Sequence, residues 1–345
     1  MSDPRPVALV TNTVRDYRRE PFRLLDEAEG IEVIAWQDDP GGQRAAIKRV
    51  ASGDYRAVIA GLGGRLALPG VYAAARGKRI PFVLWASLWE HPQTVVHRAS
   101  RAPMNAIYRG ADAVVTYGPH VTRYVAEQRA GKDAIFDAPQ TVDVEHFGRD
   151  VTEDERNAAR ARAGAENSPF LALFVGRLEP EKGVELLATA WREAAVDGAL
   201  AFAGTGPVKP SRGTVLGFQE KGALPALYAA ADVLVLPSVR TATFTEPWGL
   251  VVNEAMLQGT PVITSDAVGA AAGGLVREGR NGLIVPAGGV EALGAAIRKL
   301  SSDAELRAAL GANARQDVAA YTPQAWVDGM RNALQAVGAS RQEPS

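Results

Sequence analysis

The sequence predicts an α/β protein built from two doubly wound domains, each with a parallel sheet. Short apolar, β-rich segments alternate with longer amphipathic segments along nearly the whole chain, which is typical of strands joined by crossover helices. The chain has 345 residues, and chains above about 300 residues usually divide into more than one core. Near the middle, the polar segment 143–168 interrupts the alternation and indicates a linker.

Each half of the chain contains six candidate strands, all short and apolar as buried parallel strands are. The predicted strands are residues 7–11, 31–36, 57–60, 81–85, 113–116, 134–136, 171–175, 200–203, 214–216, 233–236, 261–264 and 282–285. Amphipathic periodicity predicts the helices between them. The clearest are residues 22–29, 42–51, 154–163, 183–195, 223–230, 250–258, 290–300 and 322–337.

These elements predict three parts of the chain. We expect a first domain at residues 1–150 and a second domain at residues 151–320. A C-terminal segment at residues 321–345 would carry the last helix, and its final eight residues would fray.

The composition excludes several classes of protein. With 47% hydrophobic and 22% charged residues, the chain has the balance of a globular protein. Lys and Arg number 38 and Asp and Glu number 39, so the net charge of −1 gives no reason to expect nucleic-acid binding. The chain has no cysteine, which rules out disulfides and thiolate metal ligands.

The sequence also lacks obvious targeting signals. No apolar run approaches the roughly 18 residues of a membrane-spanning helix, and the start MSDPRPVALVTN does not resemble a signal peptide. We therefore expect a cytoplasmic protein. Residues 1–150 carry 20 Lys and Arg against 18 Asp and Glu, a charge of +2 that is compatible with weak contact with a membrane surface.

The most informative segment is FTEPWGLVVNEAMLQGTPVITS, residues 244–265. A helix is expected to begin near Gly249 and to end at Gly259, which is a good C-terminal cap. The first amides of a helix have no internal partners and carry partial positive charge. The amides of Gly249, Leu250 and Val251 are therefore candidates for binding an anion or a hydroxyl group.

Two carboxylates flank these amides. Glu246 lies just before the helix, and Glu254 lies one turn inside it on the face of Leu250. A ligand with a negative group and several hydroxyls would suit this combination, because charge-assisted hydrogen bonds are strong. The alternative for either residue is ordinary: a solvated loop glutamate, or a partner of the helix dipole.

A second segment, LALFVGRLEPEKG at residues 171–183, joins a strand to two cations. Arg177 follows the strand, and Lys182 precedes the next helix. Doubly wound sheets bind ligands in the crevice at the carboxyl ends of their strands. A planar guanidinium and a compact ammonium at this place could clamp a phosphate, or they could belong to a solvated turn.

Two further segments carry weaker signals. Gly204 and Gly206 in AFAGTGP either let the backbone approach a ligand closely or form a tight turn. They do not complete a dinucleotide fingerprint, because the sixth position is Lys209. Phe218 follows a strand end and either lines a base pocket or closes the edge of the core. We include Gly204, Gly206 and Phe218 among the candidate donor contacts.

Together these segments resemble the retaining GT-B glycosyltransferases of family four, of the bacterial type that uses nucleotide sugars. The resemblance covers nearly all of residues 168–300, where the GR…EKG loop, the GTGP turn, LYAAADVLVLPS and the two glutamates occur in this order. Residues 105–147, with IYRGADAVVTYG and IFDAPQTVDVEHF, also look like this family. The resemblance implies two Rossmann-like domains that face each other across a cleft, with the donor held mostly by the second. It also implies that the C-terminal helix crosses back to the first domain.

The resemblance also implies roles for the candidate residues. A hexose-type sugar would move from a UDP- or GDP-linked donor to a hydroxyl acceptor, such as a sugar, a lipid-linked sugar or a small molecule. Arg177 and Lys182 would hold the donor diphosphate, Glu246 the sugar hydroxyls and Glu254 the ribose. The amides at 249–251 would contact sugar or phosphate. The chain has no Asp-x-Asp motif, so no metal and no cofactor beyond the nucleotide sugar is expected.

The first domain departs from the family pattern near its fourth strand. A histidine that contacts the donor sugar often follows that strand, but the position here is Ser87. Glu90 and His91 follow a few residues later. His91, Glu90 or neither takes this role, and we treat His91 as a candidate catalytic residue.

The first loop also departs from the family pattern. Many relatives have a glycine-rich loop there, whereas this chain has TNTVRDYRREPF at residues 11–22. Its Arg15, Arg18 and Arg19 could recognise an acidic or phosphorylated acceptor. Solvation of these arginines is the favoured interpretation.

Three other functions compete with glycosyl transfer. A nucleotide-sugar epimerase with the same fold is disfavoured by the two glutamates. A binding module that senses a nucleotide sugar without chemistry draws support from the uncertain histidine. A dinucleotide-dependent oxidoreductase is disfavoured by the incomplete glycine pattern.

Overall fold

The computed structural model describes residues 3–91, 93–131 and 133–341, and these fold into two compact units. The first unit contains the residues up to Thr141 and those from Thr322 onward, and the second unit is Val142–Tyr321. Each unit has a six-stranded parallel sheet with helical crossovers. The predicted fold class is therefore confirmed.

The first unit alternates strands and helices in chain order. Its elements are β1 (Val7–Thr11), α1 (Asp16–Glu29), β2 (Ile31–Ala35), α2 (Gly42–Ala51), β3 (Ala57–Gly61), α3 (Ala67–Gly77), β4 (Phe82–Ala86), α4 (Val95–Gly110), β5 (Ala113–Thr116), α5 (Pro119–Arg129) and β6 (Ile135–Asp137). The sheet order is β2-β1-β3-β4-β5-β6. Strands β1, β3, β4 and β5 are buried on both faces, so apolar side chains from alternate positions fill a core on each side of the sheet.

The second unit also alternates strands and helices, but its sheet has a different strand order. Its elements are α6 (Val144–Phe147), α7 (Glu153–Arg162), β7 (Leu171–Val175), α8 (Val184–Ala194), β8 (Ala199–Ala203), β9 (Thr214–Gly217), α9 (Leu224–Ala230), β10 (Val233–Leu236), α10 (Leu250–Leu257), β11 (Val262–Ser265), α11 (Gly269–Ala272), β12 (Gly282–Val285), α12 (Val290–Ser302) and α13 (Ala304–Val318). Short 3₁₀ turns at Pro180–Lys182 and Lys221–Ala223 precede α8 and α9. The sheet order is β12-β11-β10-β7-β8-β9.

The last helix, α14 (Pro323–Ala336), packs on the sheet of the first unit. Trp326 is fully buried there and meets the rings of Phe22 and Trp85 at centroid distances of 5.7 and 5.5 Å. A Cβ at Gly329 would overlap the carbonyl oxygen of Asp137, so a glycine is needed where the helix crosses the end of β6. The C-terminal helix is therefore part of the first unit's core.

A buried carboxylate holds the chain beyond α14. Glu29, at the end of α1, is fully buried and accepts hydrogen bonds from Arg56 Nη2 at 2.9 Å and Arg331 Nε at 3.1 Å. It also accepts from Ser340 Oγ at 2.8 Å and from the backbone N–H of Arg341 at 2.7 Å. The predicted fraying of the last eight residues is therefore wrong for 338–341, and residues 342–345 lie outside the described residues.

Three other details differ from the sequence predictions. Helix α1 begins at Asp16, not at residue 22, and contains Pro21. Helix α13 was not predicted, since its few buried residues form only a narrow apolar stripe. Residues 142–150 pack in the second unit, where Gln258 Nε2 donates to the carbonyl oxygens of Phe147 and Arg149 at 2.5 and 2.9 Å.

The buried ion pair at Glu29 makes a testable prediction. Glu29→Ala leaves the buried Arg56 guanidinium without its carboxylate, which should lower the free energy of unfolding by about 3–5 kcal/mol. The control is Glu27→Ala on the same helix, because Glu27 forms only an exposed pair with Arg23 and should change stability by less than about 1 kcal/mol. Urea unfolding followed by circular dichroism measures both, and equal effects would contradict the prediction.

Candidate active site

The candidate site lies at the point in the second sheet where the order of its strands reverses. Strand β7 is flanked by β8 on one side and β10 on the other, so the chain leaves β7 toward one edge and later returns to its opposite side. Doubly wound sheets bind ligands at this topological switch point, outside the carboxyl ends of the strands. The loops that leave β7 and β10 carry Lys182 and Glu246, the two residues that the sequence analysis placed at the centre of the site.

Lys182 and Glu246 form a buried ion pair. Lys182 Nζ donates to Glu246 Oε2, and the two side chains are only 13% and 9% exposed. Ser238 Oγ donates to the same carboxylate oxygen at 3.2 Å. The ammonium also lies 5.1 Å from the centre of the Phe244 ring, a favourable cation–π position. The structure therefore brings together two candidates that are 64 residues apart in the chain.

Contacts between the two loops hold this ion pair in place. The backbone N–H of Val239 donates to the carbonyl oxygen of Glu181 at 2.8 Å. Gly183 has a left-handed conformation with φ of 71°, and a Cβ there would overlap the carbonyl oxygen of Pro237. Only glycine fits both the conformation and the close approach, so the loop from β7 can lie against the loop from β10.

Arg177 lies on the same loop but is not buried with Lys182. Its side chain is 61% exposed and forms long ion pairs with Glu179 at 3.5 Å and Glu181 at 3.7 Å. These exposed pairs are weak, so the guanidinium is available to a ligand at little cost.

The start of α10 lies directly after Glu246 and has its backbone fixed. Gly269 N–H donates to the Glu246 carbonyl at 3.0 Å, and Ala270 N–H donates to the Trp248 carbonyl at 2.8 Å. Gly249 has φ of 95°, and a Cβ there would come within 2.8 Å of Leu236. The helix starts at Leu250, so the amides of 249–251 lie in its first turn as predicted from the sequence.

Glu254 has a hydrogen-bond partner within the protein that the sequence analysis did not identify. It accepts a hydrogen bond of 2.5 Å from the hydroxyl of Tyr228, a fully buried residue on α9. Glu254 is half-buried by surface area, yet the surrounding protein desolvates its carboxyl enough to raise its pKa from 4.5 to about 7, although the bond from Tyr228 acts in the opposite direction. The carboxyl is thus a group that gains or loses a proton near neutral pH.

The two glycines of AFAGTGP serve a contact between loops. A Cβ at Gly204 would overlap the carbonyl oxygen of Gly176, and one at Gly206 would overlap that of Leu178. Leu178 N–H also donates to Thr205 O at 2.8 Å. The close backbone approach is therefore explained by the β7 loop, and these positions need glycine even without a ligand.

Phe218 is not an edge residue of the core. Its side chain is 69% exposed directly after β9, and Val215 on the same strand is also exposed. The core interpretation of Phe218 is therefore wrong, and an open aromatic surface remains at the carboxyl end of β9.

His91 and Ser87 line different cavities of the first unit. His91 Nδ1 lies 3.4 Å from the hydroxyl of Tyr124, in a cavity of about 450 Å³ that Glu90 also lines. Ser87 lines a smaller cavity of about 120 Å³ at the carboxyl ends of β1, β3 and β4. These positions do not show whether His91, Glu90 or neither takes the role of the family histidine.

The sequence analysis overlooked two residues of the site. Tyr228 and Ser238 each bond a candidate glutamate and lie at the two ends of the LYAAADVLVLPS motif, but the motif was used only for the family resemblance. The signal for Ser238 was its position after a buried strand, where polar residues meet ligands.

Across the ranges that the structure describes, no three His, Cys, Asp or Glu side chains are grouped as metal ligands. None of the helices in those ranges has the length and apolar character needed to span a bilayer.

Two doubly wound units, each with a six-stranded parallel sheet, give the chain a GT-B fold. Residues 155–317 match the family model described as "Glycosyl transferases group 1". The chain therefore carries a glycosyltransferase group 1 domain in a GT-B fold.

Known proteins agree with this assignment. A D-inositol 3-phosphate glycosyltransferase of Rhodococcus opacus is 31% identical over 217 residues, which are 56% of this chain and 47% of that protein. An alpha-D-kanosaminyltransferase of Streptomyces kanamyceticus is 30% identical over 47% of this chain and 44% of its own length. The chain spans about half the length of these curated relatives. The solved structure of HepE of Anabaena with UDP and glucose shares the fold, with a TM-score of 0.74 and 20% identity over 96% of this chain and 100% of that one.

The raised pKa of Glu254 predicts how stability depends on pH. The folded protein keeps the Glu254 proton to about pH 7, whereas the unfolded chain loses it near pH 4.5, so wild-type stability falls as pH rises through this window. Glu254→Gln removes this loss and should be the more stable protein above pH 7, by on the order of 3 kcal/mol at most. Urea unfolding at pH 5 and pH 8 measures the difference.

A second variant tests the direction of the effect. Tyr228→Phe removes the hydrogen bond that lowers the pKa of Glu254, so the pH window should move upward. If Glu254→Gln and the wild type lose stability in parallel between the two pH values, Glu254 is not the responsible group.

Proposed function

We propose that this protein is a retaining glycosyltransferase. It transfers a hexose-type sugar from a UDP- or GDP-linked donor to a hydroxyl acceptor, without a metal ion, in the synthesis of a glycan, a glycolipid or a glycosylated metabolite. The glycosyltransferase group 1 domain and the resemblance of the motifs support this class of reaction. The observation that carries the proposal is the buried pair of Lys182 and Glu246 at the switch point of the donor sheet.

The charges of the site suit a diphosphate leaving group. As the glycosidic bond to the donor breaks, negative charge grows on the diphosphate, and fixed cations and dipoles stabilise it. Lys182 is largely buried, so its ammonium acts in a medium where electrostatic interactions are strong. Arg177 and the amides at the start of α10 supply the additional positive charge that balances the two phosphates.

The glutamates serve the uncharged parts of the donor. In this proposal Glu246, held by Lys182 and Ser238, accepts hydrogen bonds from sugar hydroxyls. Glu254 accepts from the ribose. Phe218 supplies an exposed ring near the nucleotide base. His91 is the first candidate in the first unit for a contact with the donor sugar, and Glu90 is the alternative.

The donor nucleotide is identified by thermal shift. UDP is bound in the HepE structure, so UDP and UDP-glucose are the first probes, with GDP, ADP and NAD as comparisons. A ligand at about 100 times its Kd adds about 2.7 kcal/mol of stability to the folded protein. We expect a rise in Tm with one nucleoside diphosphate and none with NAD.

The Lys182–Glu246 pair predicts a specific pattern in a double-mutant cycle. Lys182→Met or Glu246→Gln alone leaves one buried charge or polar group without its partner and should lower stability by several kcal/mol, about 3–5 for a buried pair. The double variant should recover most of this stability. Activity should not recover, and kcat/KM should stay about 10²–10³-fold below wild type, as expected for loss of transition-state stabilisation.

The matched control removes an exposed charge from the same unit. Arg149 pairs with Glu155 at 2.7 Å, and both side chains are about one-third exposed. Arg149→Met should leave kcat/KM unchanged. Recovery of activity in the double variant would mean that the Lys182–Glu246 pair is purely structural.

The products distinguish the competing functions. An α-linked product from an α-linked donor, detected by NMR, supports retention, and activity that persists in EDTA supports a metal-free reaction. An epimerised nucleotide sugar formed without an acceptor would indicate an epimerase. Donor binding with no turnover on any acceptor would indicate a binding module.

A further inference from the structure

Arg18 is a buried cation among aromatic rings in the first unit. It lies on α1 and is only 3% exposed. Its guanidinium carbon is 4.4 Å from the centre of the Trp85 ring and 4.9 Å from that of Tyr17. Tyr117 and Trp326 lie at 5.6 and 5.7 Å. The interpretation that this arginine is solvated is therefore wrong.

The groups that bond Arg18 are all neutral. Nη2 donates to Gln140 Oε1 at 2.5 Å and to the Tyr117 hydroxyl at 3.2 Å. Within the described residues, Nη1 is buried and has no hydrogen-bond partner, and no carboxylate forms an ion pair with this guanidinium. A buried charge is costly unless it is paired, so the positive charge of Arg18 is left for something outside the folded chain to balance.

A cavity adjoins this cation. It has a volume of about 120 Å³, room for several water molecules and hence for one oxyanion group. Arg18 and the exposed Arg15 both line it, together with the hydroxyl-bearing Tyr17 and Ser87. The described residues that form its lining include no Asp or Glu, so the cavity favours a negative group over a neutral or positive one.

The cavity occupies the switch point of the first sheet. Strand β1 has β2 on one side and β3 on the other. Thr11 at the end of β1 and Gly61 at the end of β3 both line the cavity. This is the position where doubly wound sheets bind their ligands.

The neighbouring arginine on the same helix, Arg19, differs from Arg18 in both burial and ion pairing. Arg19 is 76% exposed and pairs with Asp16 at 3.1 Å. It therefore has a local counter-charge and no role in the cavity, which makes it a matched control on the same element.

We propose that Arg18 binds an oxyanionic group, a phosphate or a carboxylate, that is carried by the acceptor substrate. This inference rests on the proposed glycosyltransferase function and adds the chemical class of the acceptor. The planar guanidinium can present two parallel N–H groups to such an anion, and the unused Nη1 supplies a donor for it. The surrounding rings hold the guanidinium plane in one orientation before the acceptor arrives.

Binding of inorganic phosphate tests the site directly. At constant ionic strength, calorimetry with wild-type protein should give saturable binding, and phosphate should raise the Tm. Arg18→Met should weaken this binding at least tenfold, whereas Arg19→Met should stay within twofold of wild type. If Arg18→Met fails to fold, Arg18→Gln serves the same purpose, because it keeps a polar side chain and removes the charge.

Stability without phosphate separates a binding role from a structural one. Because Arg18 is a buried cation without an ion-pair partner in the part of the chain described, Arg18→Met should keep or raise the Tm in phosphate-free buffer. A large fall in Tm together with unchanged phosphate binding would assign Arg18 to the core and overturn the proposal.

Transfer assays identify the anion and separate this inference from the proposed function. The acceptors are a neutral hexose, its phosphate monoester and the matching hexuronate, and UDP binding is measured for each variant. We expect wild type to prefer one anionic acceptor at least tenfold in kcat/KM, and Arg18→Met to lose this preference through KM while UDP binding is unchanged.

Failure of the proposed function and failure of the inference about Arg18 give different results. If wild type neither binds a nucleotide nor transfers sugar, the proposed function fails. If transfer occurs but Arg18→Met uses neutral and anionic acceptors as the wild type does, only the assignment of Arg18 is overturned.

Discussion

The ion pair between Lys182 and Glu246 is the interaction on which the candidate active site depends. Two opposite charges can be buried together only if each satisfies the other and the remaining lone pairs find donors. Here Ser238 supplies such a donor, and the left-handed Gly183 lets the two loops approach closely enough for the contact. The pair thereby fixes the β7 loop against the β10 loop, just before the helix start that offers backbone amides.

The two units are both doubly wound but differ in strand order and in charge balance. In each sheet the first strand lies between two others, and the sheet continues from these toward its two opposite edges. A cation lies in the crevice at the carboxyl end of this first strand. Lys182 in the second unit has a carboxylate partner, so the charge of this ion pair is close to zero. Arg18 in the first unit has neutral partners only among the residues described, so its cavity retains a positive charge. In the proposed function, the paired cation of the second unit suits a donor that has hydroxyls as well as phosphates. The unpaired cation of the first unit suits an acceptor that carries an anion.

Local pattern predicted the strands better than the helices. Most strand segments are dominated by apolar residues, and every predicted strand occurs within one residue of its expected bounds. Helix α1 begins six residues before its predicted start and contains Pro21, although proline has no N–H to donate within a helix. Helix α13 buries few residues and shows little apolar periodicity, so the signal for it was weak.

The sequence by itself determined the α/β class, the carboxyl-end loops and the identity of Lys182 and Glu246 as candidates, because strand periodicity and helix-start chemistry are local properties. Tertiary structure alone decided which side chains are partners. It placed Glu254 with Tyr228, buried Arg18 among aromatic rings while leaving Arg19 exposed, and fixed the tail on Glu29. Burial and charge compensation arise from residues distant in the chain, and no spacing rule within one segment contains that information.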